Sequence, residues 1–332
     1  MGMSNGTRGD GYMYSLEPLL ATIPRASAEG NHELEGASRG GKQHQDRPQC
    51  APTTADPPPT ARSHCHRAGS PFGVYCPAAE FCEGRYLNQT AGYLVAGRAS
   101  GSGTNRYYSL DVGLVHLVVY NTMQYLGLGA DMRAAQLAWL EADLKKASAP
   151  AQRARVPWIV VASESGALRW WGGEWATRAH PLTSCHAHAL PLPAHIPMYC
   201  SAEGQTGVGG DSRKDIEPLL LAAGVDLYLY GHVHSYEASW PVGPNGTVVA
   251  QSYVNARAPV HVLAGAGGPP GGPDVYPASR PAWSRATYSS WSYGRLQVFN
   301  ATHLTYSQHD NVAGAVVDSF TLVQEKRAEI RY

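Results

Sequence analysis

The sequence predicts a layered α/β sandwich flanked by helices, and two patterns carry that prediction. Short β-branched apolar runs alternate with stretches of helical periodicity between about residues 105 and 264. After them, "YGRLQVFNATHLTYSQHD" alternates apolar and polar residues, as two antiparallel strands do. With 332 residues the chain is long enough for a sizeable core.

In chain order, "YMYSLEPLLA" (12–21) places Tyr12, Leu16, Leu19 and Leu20 at helical spacing and ends before Pro24. "AEGNHELEG" follows. Residues 34–80 begin with a long stretch rich in Gly, Pro, Arg, His and Gln without periodicity, and read as a disordered insertion. "NRYYSLDVGLVHLVVYNT" reads as a strand, a turn at Asp111–Gly113 and a buried strand over 114–120. "DMRAAQLAWLEADLKKAS" is a helix with Ala134, Leu137, Leu140 and Leu144 on one face. Asp131 is its expected N-cap, and lysines occupy its last turn. "VPWIVVAS" (156–163) is a short buried strand. Residues 164–194 lose all periodicity and read as a second insertion. Residues 213–223 form a helix with Ile216, Leu219 and Leu220 inward. "VDLYLYGHVHSYE" is a strand running into a loop, and "APVHVLAGAGG" is a strand entering a Gly-rich turn.

Composition narrows the function. Formal charge is balanced, which argues against a nucleic-acid partner. No run of 18 apolar residues exists, so no membrane helix is expected, and the N-terminal stretch does not read as a signal peptide. Four of the nine asparagines (Asn5, Asn88, Asn245 and Asn300) begin glycosylation sequons, where chance would give roughly one. This excess points to a secreted or vacuolar origin. The six cysteines suit disulfides in an oxidising compartment, although spacing does not assign pairs.

His232 and His234 follow an apolar strand and Gly231. On an extended segment, residues two apart share a side, so two imidazoles could reach two adjacent metal ions. Gly231 permits a sharp backbone turn, and sites in open α/β folds gather at the carboxyl ends of strands. In "GNHE" (30–33), Asn31 offers a neutral oxygen ligand and His32 a hydrogen-bond donor for phosphate. "SHCHR" near Cys65 and "CHAHAL" at 185–190 imitate zinc clusters. They lack paired ligands at structural-zinc spacing and lie in the insertions, so neither is expected to bind metal.

"GNHE" followed by "GHVHSYE" resembles the calcineurin-like metallophosphoesterases. "EPLLLAAGVDLYLYGHVHSYEASWPV", "APVHVLAGAGG" and "YGRLQVFNATHLTYSQ" narrow the resemblance to the purple acid phosphatases, over roughly residues 1–33, 80–163 and 195–323. The resemblance implies a four-layer α/β/β/α fold. Residues 1–33, 81–163 and 195–323 would be parts of one metallophosphoesterase domain, interrupted by 34–80 and 164–194, with 324–332 as a tail. It implies hydrolysis of phosphate monoesters by a metal-bound hydroxide at a binuclear centre of iron with zinc, manganese or a second iron.

By the same resemblance, Asn31 and His232 bind the second metal and His234 the first, while His32 stabilises the substrate phosphate. Excising 164–194 joins Val161-Ala162-Ser163 to His195 and restores the family's Val-x-x-His block, which makes His195 the remaining second-metal ligand.

Two family blocks, Asp-x-Gly and Gly-Asp-x-x-Tyr, have no counterpart. "RGDGYMY" misses the second, because Met13 stands at the tyrosine position. The chain therefore reads as starting late in the family's domain, with first strands missing and a sheet edge left unpaired. Ala238 stands where the family commonly has Arg. These departures keep open a second reading, a remnant that binds phosphate or a single metal, or none, without turnover. A secreted α/β binding module with chance histidines is the third.

Overall fold

A computed structural model of the chain describes residues 94–122, 129–163, 197–205, 210–266 and 272–325, all within one of the chain's two compact units. The expected helix over 12–21, the insertions 34–80 and 164–194, and both zinc-like decoys lie outside the described residues.

The described elements in order are α1 (Leu94–Ser100), β1 (Tyr108–Val112), β2 (Val115–Val119), α2 (Gly129–Ser148), α3 (Pro150–Arg155), β3 (Trp158–Ser163), α4 (Gly210–Ala222), β4 (Leu227–Tyr230), β5 (Tyr236–Gly243), β6 (Thr247–Val248), β7 (Val260–Ala264), β8 (Ser284–Tyr288), β9 (Ser292–Val298), β10 (His303–Asp310) and β11 (Val316–Val323). Eight strands form one sheet in the order β1-β2-β3-β4-β7-β5-β6, with β8 also on β5. Its centre, β2-β3-β4-β7, is parallel, and β1, β5 and β8 pair antiparallel to it or to one another. A second sheet, β11-β10-β9, is antiparallel throughout.

The layers follow from side-chain alternation along β3, whose pattern is apolar on both faces, as a central parallel strand requires. Ile159 and Val161 point into a core with Trp139, Leu140 and Leu144 of α2 and Ile216 and Leu220 of α4. Trp158 and Val160 point the other way, onto Leu304, Tyr306, Phe320 and Leu322 of the second sheet. Helices, large sheet and small sheet thus make three stacked layers among the described residues. In the small sheet, among the described residues, β9 pairs with β10 and is exposed along most of its length.

Three local expectations need correction. The β1–β2 turn falls at Gly113–Leu114, because Asp111 and Val112 still pair with His116 and Val115. Helix α2 starts at Gly129, two residues before the expected cap Asp131. Its buried face is also rotated: Ala134 is exposed, while Gln136 and Asp143 are buried beside Leu140 and Leu144. Both polar side chains are buried because each has partners. Gln136 exchanges two hydrogen bonds with the Asn121 backbone, at 3.0 and 2.8 Å. Asp143 accepts from Ser109 Oγ at 2.6 Å and bonds His116 Nε2 at 2.9 Å. Ile216, Leu219 and Leu220 of α4 do pack inward.

His261 on β7 is buried against the rings of Tyr199, Tyr228 and Tyr230, with centroids 5.0 to 6.0 Å away. Its Nδ1 has no hydrogen-bond partner. Burial lowers its pKa to about 3, so the ring stays neutral while the unfolded chain titrates normally. The folded value is depressed, so stability is lost as pH falls below the unfolded value of about 6.5, by about 1.4 kcal/mol per unit. His261→Leu is therefore expected to gain about 2 kcal/mol more relative stability near pH 5 than near pH 8 in urea titrations. An equal effect at both pH values would show that His261 does not titrate in this way.

Candidate metal centre

The parallel strands β3, β4 and β7 end side by side: Ser163 pairs with Tyr230, and Tyr230 with Leu263. Residues 231–235 leave β4 at this carboxyl edge, where strand ends leave a crevice in α/β sheets. His232 and His234 are both half-buried there.

The loop is not the extended segment that would put both rings on one side. His232 has φ of 72°, and the Val233 N–H donates to the Gly231 carbonyl at 3.0 Å, which closes a γ-turn around His232. The Ser235 N–H donates to the Val233 carbonyl at 2.9 Å, closing a second three-residue turn around His234. A γ-turn with positive φ is rare and strained, and a non-Gly residue held there costs of order 1–3 kcal/mol. Such strain persists only where the surroundings over-determine it. Here Gly265 N–H donates to the Ser235 carbonyl at 3.1 Å. A Cβ on Gly265 would lie 1.9 Å from the Val233 carbonyl oxygen, so only glycine allows β7 to hold the loop this closely.

Two further ties reach the loop from residues 272–276. Asp274 Oδ2 accepts the His234 N–H at 2.6 Å, and the Asp274 N–H donates to the His234 carbonyl at 3.1 Å. Ser235 Oγ and Tyr276 Oη are 2.7 Å apart. Glu237, at the start of β5, is buried and accepts hydrogen bonds from Ser201 N–H at 2.9 Å, Ser201 Oγ and Ser284 Oγ. Burial raises its pKa, and those hydrogen bonds work against the rise. Neither Asp274 nor Glu237 was assigned a role from sequence. Glu237 stood in the quoted "SYE", but nothing local signals that Asp274 returns to the loop.

Of the expected site residues, the structure places His232 and His234 in one loop, while Asn31, His32 and His195 lie outside the described residues. Among the described residues no group of three or more His, Cys, Asp or Glu could hold a metal ion. His232 and His234, half-buried on a strained turn at the strand ends, carry imidazoles, a donor type that suits iron and zinc.

Cys200 corrects the disulfide expectation at one position: it is a buried free thiol whose pKa burial pushes up to about 12. The other five cysteines lie outside the described residues. Ala238 is fully buried in β5, paired with Val262 and Ala286. Asn245 and Asn300 are exposed, the first in a turn with φ of 57°. Asn300 Oδ1 accepts from Thr302 N–H and Oγ1 and from His303 N–H, each at 2.8 Å, and shapes the β9–β10 turn. Asn5 and Asn88 are outside the described residues.

Residues 258–319 match the family model described as iron/zinc purple acid phosphatase-like protein C. The chain is 32% identical over 247 residues to acid phosphatase type 7 of Danio rerio, a match covering 68% of this chain and 48% of the relative. It is 30% identical over 213 residues to purple acid phosphatase 18 of Arabidopsis thaliana, covering 64% and 38% respectively. The solved purple acid phosphatase PPD1 from yellow lupin (Lupinus luteus) seeds superposes with a TM-score of 0.57 at 20% identity, over 96% of this chain and 44% of that one. The chain thus spans about half the length of these relatives or less. Together, these matches identify residues 258–319 as a purple acid phosphatase carboxyl-terminal segment and make the chain similar to the purple acid phosphatases over the matched lengths.

Proposed function

We propose that the chain carries the carboxyl-terminal part of a metal-dependent acid phosphatase acting on phosphate monoesters. The observation that carries this reading is the Gly231-His232-Val233-His234 loop, held in a strained turn at the carboxyl ends of three parallel strands. His232 with Asn31 and His195 would hold one metal, and His234 would contribute to the other. The metal pair, when bound, supplies an ionised nucleophile and neutralises charge on the phosphoryl group. His32 would donate a hydrogen bond to the phosphate or a proton to the leaving alcohol, a role typically worth about 10²–10⁴-fold. The 231–235 turns fix the backbone from which both imidazoles extend, so their positions are set before substrate arrives.

The 164–194 segment fits this reading as an insertion. Ser163 pairs in register with Tyr230, and Tyr230 Oη donates to the Tyr199 carbonyl at 2.8 Å. Ser163 and Tyr199, on either side of the segment in sequence, thus both meet Tyr230, which supports reading 164–194 as an insertion. Exposed sequons at Asn245 and Asn300 support a glycosylated protein that is secreted or vacuolar.

The test is to express residues 1–332 with iron, zinc and manganese, count metal per folded chain, and assay p-nitrophenyl phosphate. His232→Ala or His234→Ala is expected to lower metal affinity by at least about 100-fold, and two metals with turnover would show that other carboxylates of the chain replace those of the two blocks without a counterpart. One metal or none without turnover would instead identify a phosphate- or metal-binding remnant.

A further inference from the structure

We propose that Asp274 is a positioning residue for the candidate metal centre, setting the backbone that carries His232 and His234. This role rests on the metallophosphatase reading above.

The geometry is specific. Asp274 grips one residue at two points: its carboxylate accepts the His234 N–H, and its own N–H donates to the His234 carbonyl. That pair fixes the position and tilt of the whole His234 peptide unit, as a ladder pair does in a sheet. Next to it, Tyr276 Oη and Ser235 Oγ are in hydrogen-bond contact. On the other side, Glu203 N–H donates to the Val275 carbonyl at 3.0 Å. Residues 274–276 therefore form a strap that touches two loops at once. One carries His232 and His234, and the other continues the segment that begins with His195.

The chemistry explains why a carboxylate serves here. The His234 N–H sits between two three-residue turns and takes no part in closing either of them. A carboxylate makes a stronger bond to an N–H than a neutral acceptor does. Without Asp274, the positive φ at His232 would lose one of the contacts that hold it, and the loop could relax to an unstrained turn. The two rings would then no longer be held in one arrangement before metal arrives.

The experiment uses the full chain and three variants: Asp274→Ala, Asp274→Asn and Asp274→Glu. The readouts are zinc affinity by competition with a chromogenic chelator, amide hydrogen exchange of peptides covering 231–235, and thermal melting. Asp274→Ala is expected to weaken zinc binding by about 10–100-fold and to speed exchange in the loop. Asp274→Asn keeps an oxygen acceptor for the His234 N–H and should recover most of both. Asp274→Glu displaces the acceptor by one methylene and should fall between. It serves as the informative variant if Asp274→Ala does not fold. Unchanged zinc affinity in Asp274→Ala, while the parent binds zinc, overturns the role of Asp274 and leaves the metallophosphatase reading standing. Absence of zinc, iron and manganese binding in the parent overturns that reading, and this role with it.

Discussion

Asp226→Ala is expected to destabilise the fold by about 3–5 kcal/mol, because it strands a buried guanidinium. Arg153 and Asp226 meet at 2.9 Å with side chains only 9% and 10% exposed. Asp226 is a hub: Oδ2 also accepts the Ile159 N–H at 2.7 Å, and Oδ1 accepts from Gln324 Nε2. Arg153 donates to the Pro157 carbonyl at 2.8 Å and to the Gly224 carbonyl. The pair thus joins α3, the start of β3, the α4–β4 turn and the residue after β11. Removing the carboxylate leaves a buried charge without its counter-ion and a strand N–H without its acceptor. Replacing both partners, as Arg153→Met with Asp226→Leu, removes the charge with its partner and should recover much of the loss. Urea midpoints of the three variants check this. A loss within about 1 kcal/mol for Asp226→Ala would show that the hub is not energetically coupled.

His116→Gln is expected to cost about 3 kcal/mol at acid pH and progressively less as pH rises. His116 lies between two carboxylates: Nδ1 is 2.7 Å from Asp111 Oδ1, and Nε2 is 2.9 Å from Asp143 Oδ2. Two ionised carboxylates demand two N–H donors, so this geometry calls for the imidazolium. Burial lowers the His116 pKa, but hydrogen bonds and charge from Asp143, then from Asp111, outweigh it and leave a net rise. The other groups facing the cluster are Ser109, which donates to Asp143, and Gln152, which donates to Asp111 at 3.1 Å. The folded value is raised, so the stabilisation is fully present below the unfolded value of about 6.5 and is lost as pH climbs through the folded value. The cluster clamps the β1–β2 hairpin to α2 most strongly in acid, whereas His261 weakens the fold there. A flat pH profile for the difference between His116→Gln and the parent would sink this account.

The polar network around His116 was invisible to pattern reading. Asp143 and Gln136 sit at helix positions where sequence alone assigns solvent, and Ala134 sits where it assigns core. Burial of these two polar residues depends on partners 15 to 34 residues away in the chain. The same holds for Glu237 and Asp274, whose partners lie 36 and 40 residues away. His232 was legible as a candidate ligand by its spacing and its glycine, but its φ of 72° was not. Extended geometry was the simplest reading of a residue leaving a strand.

The sequence by itself determined the alternation of short buried strands with helices, the antiparallel pair β9–β10, and the placement of His232 and His234 just beyond a strand's carboxyl end. Those features are written in apolar period and in short motifs, both of which act over a few residues. The tertiary structure alone decided which polar groups are buried, that Gly265 must be bare for β7 to approach Val233, and that Asp274 returns to the His234 backbone. Each of these depends on segments that meet only when the sheet is assembled. A hydrogen bond between distant residues leaves no periodic trace in the chain.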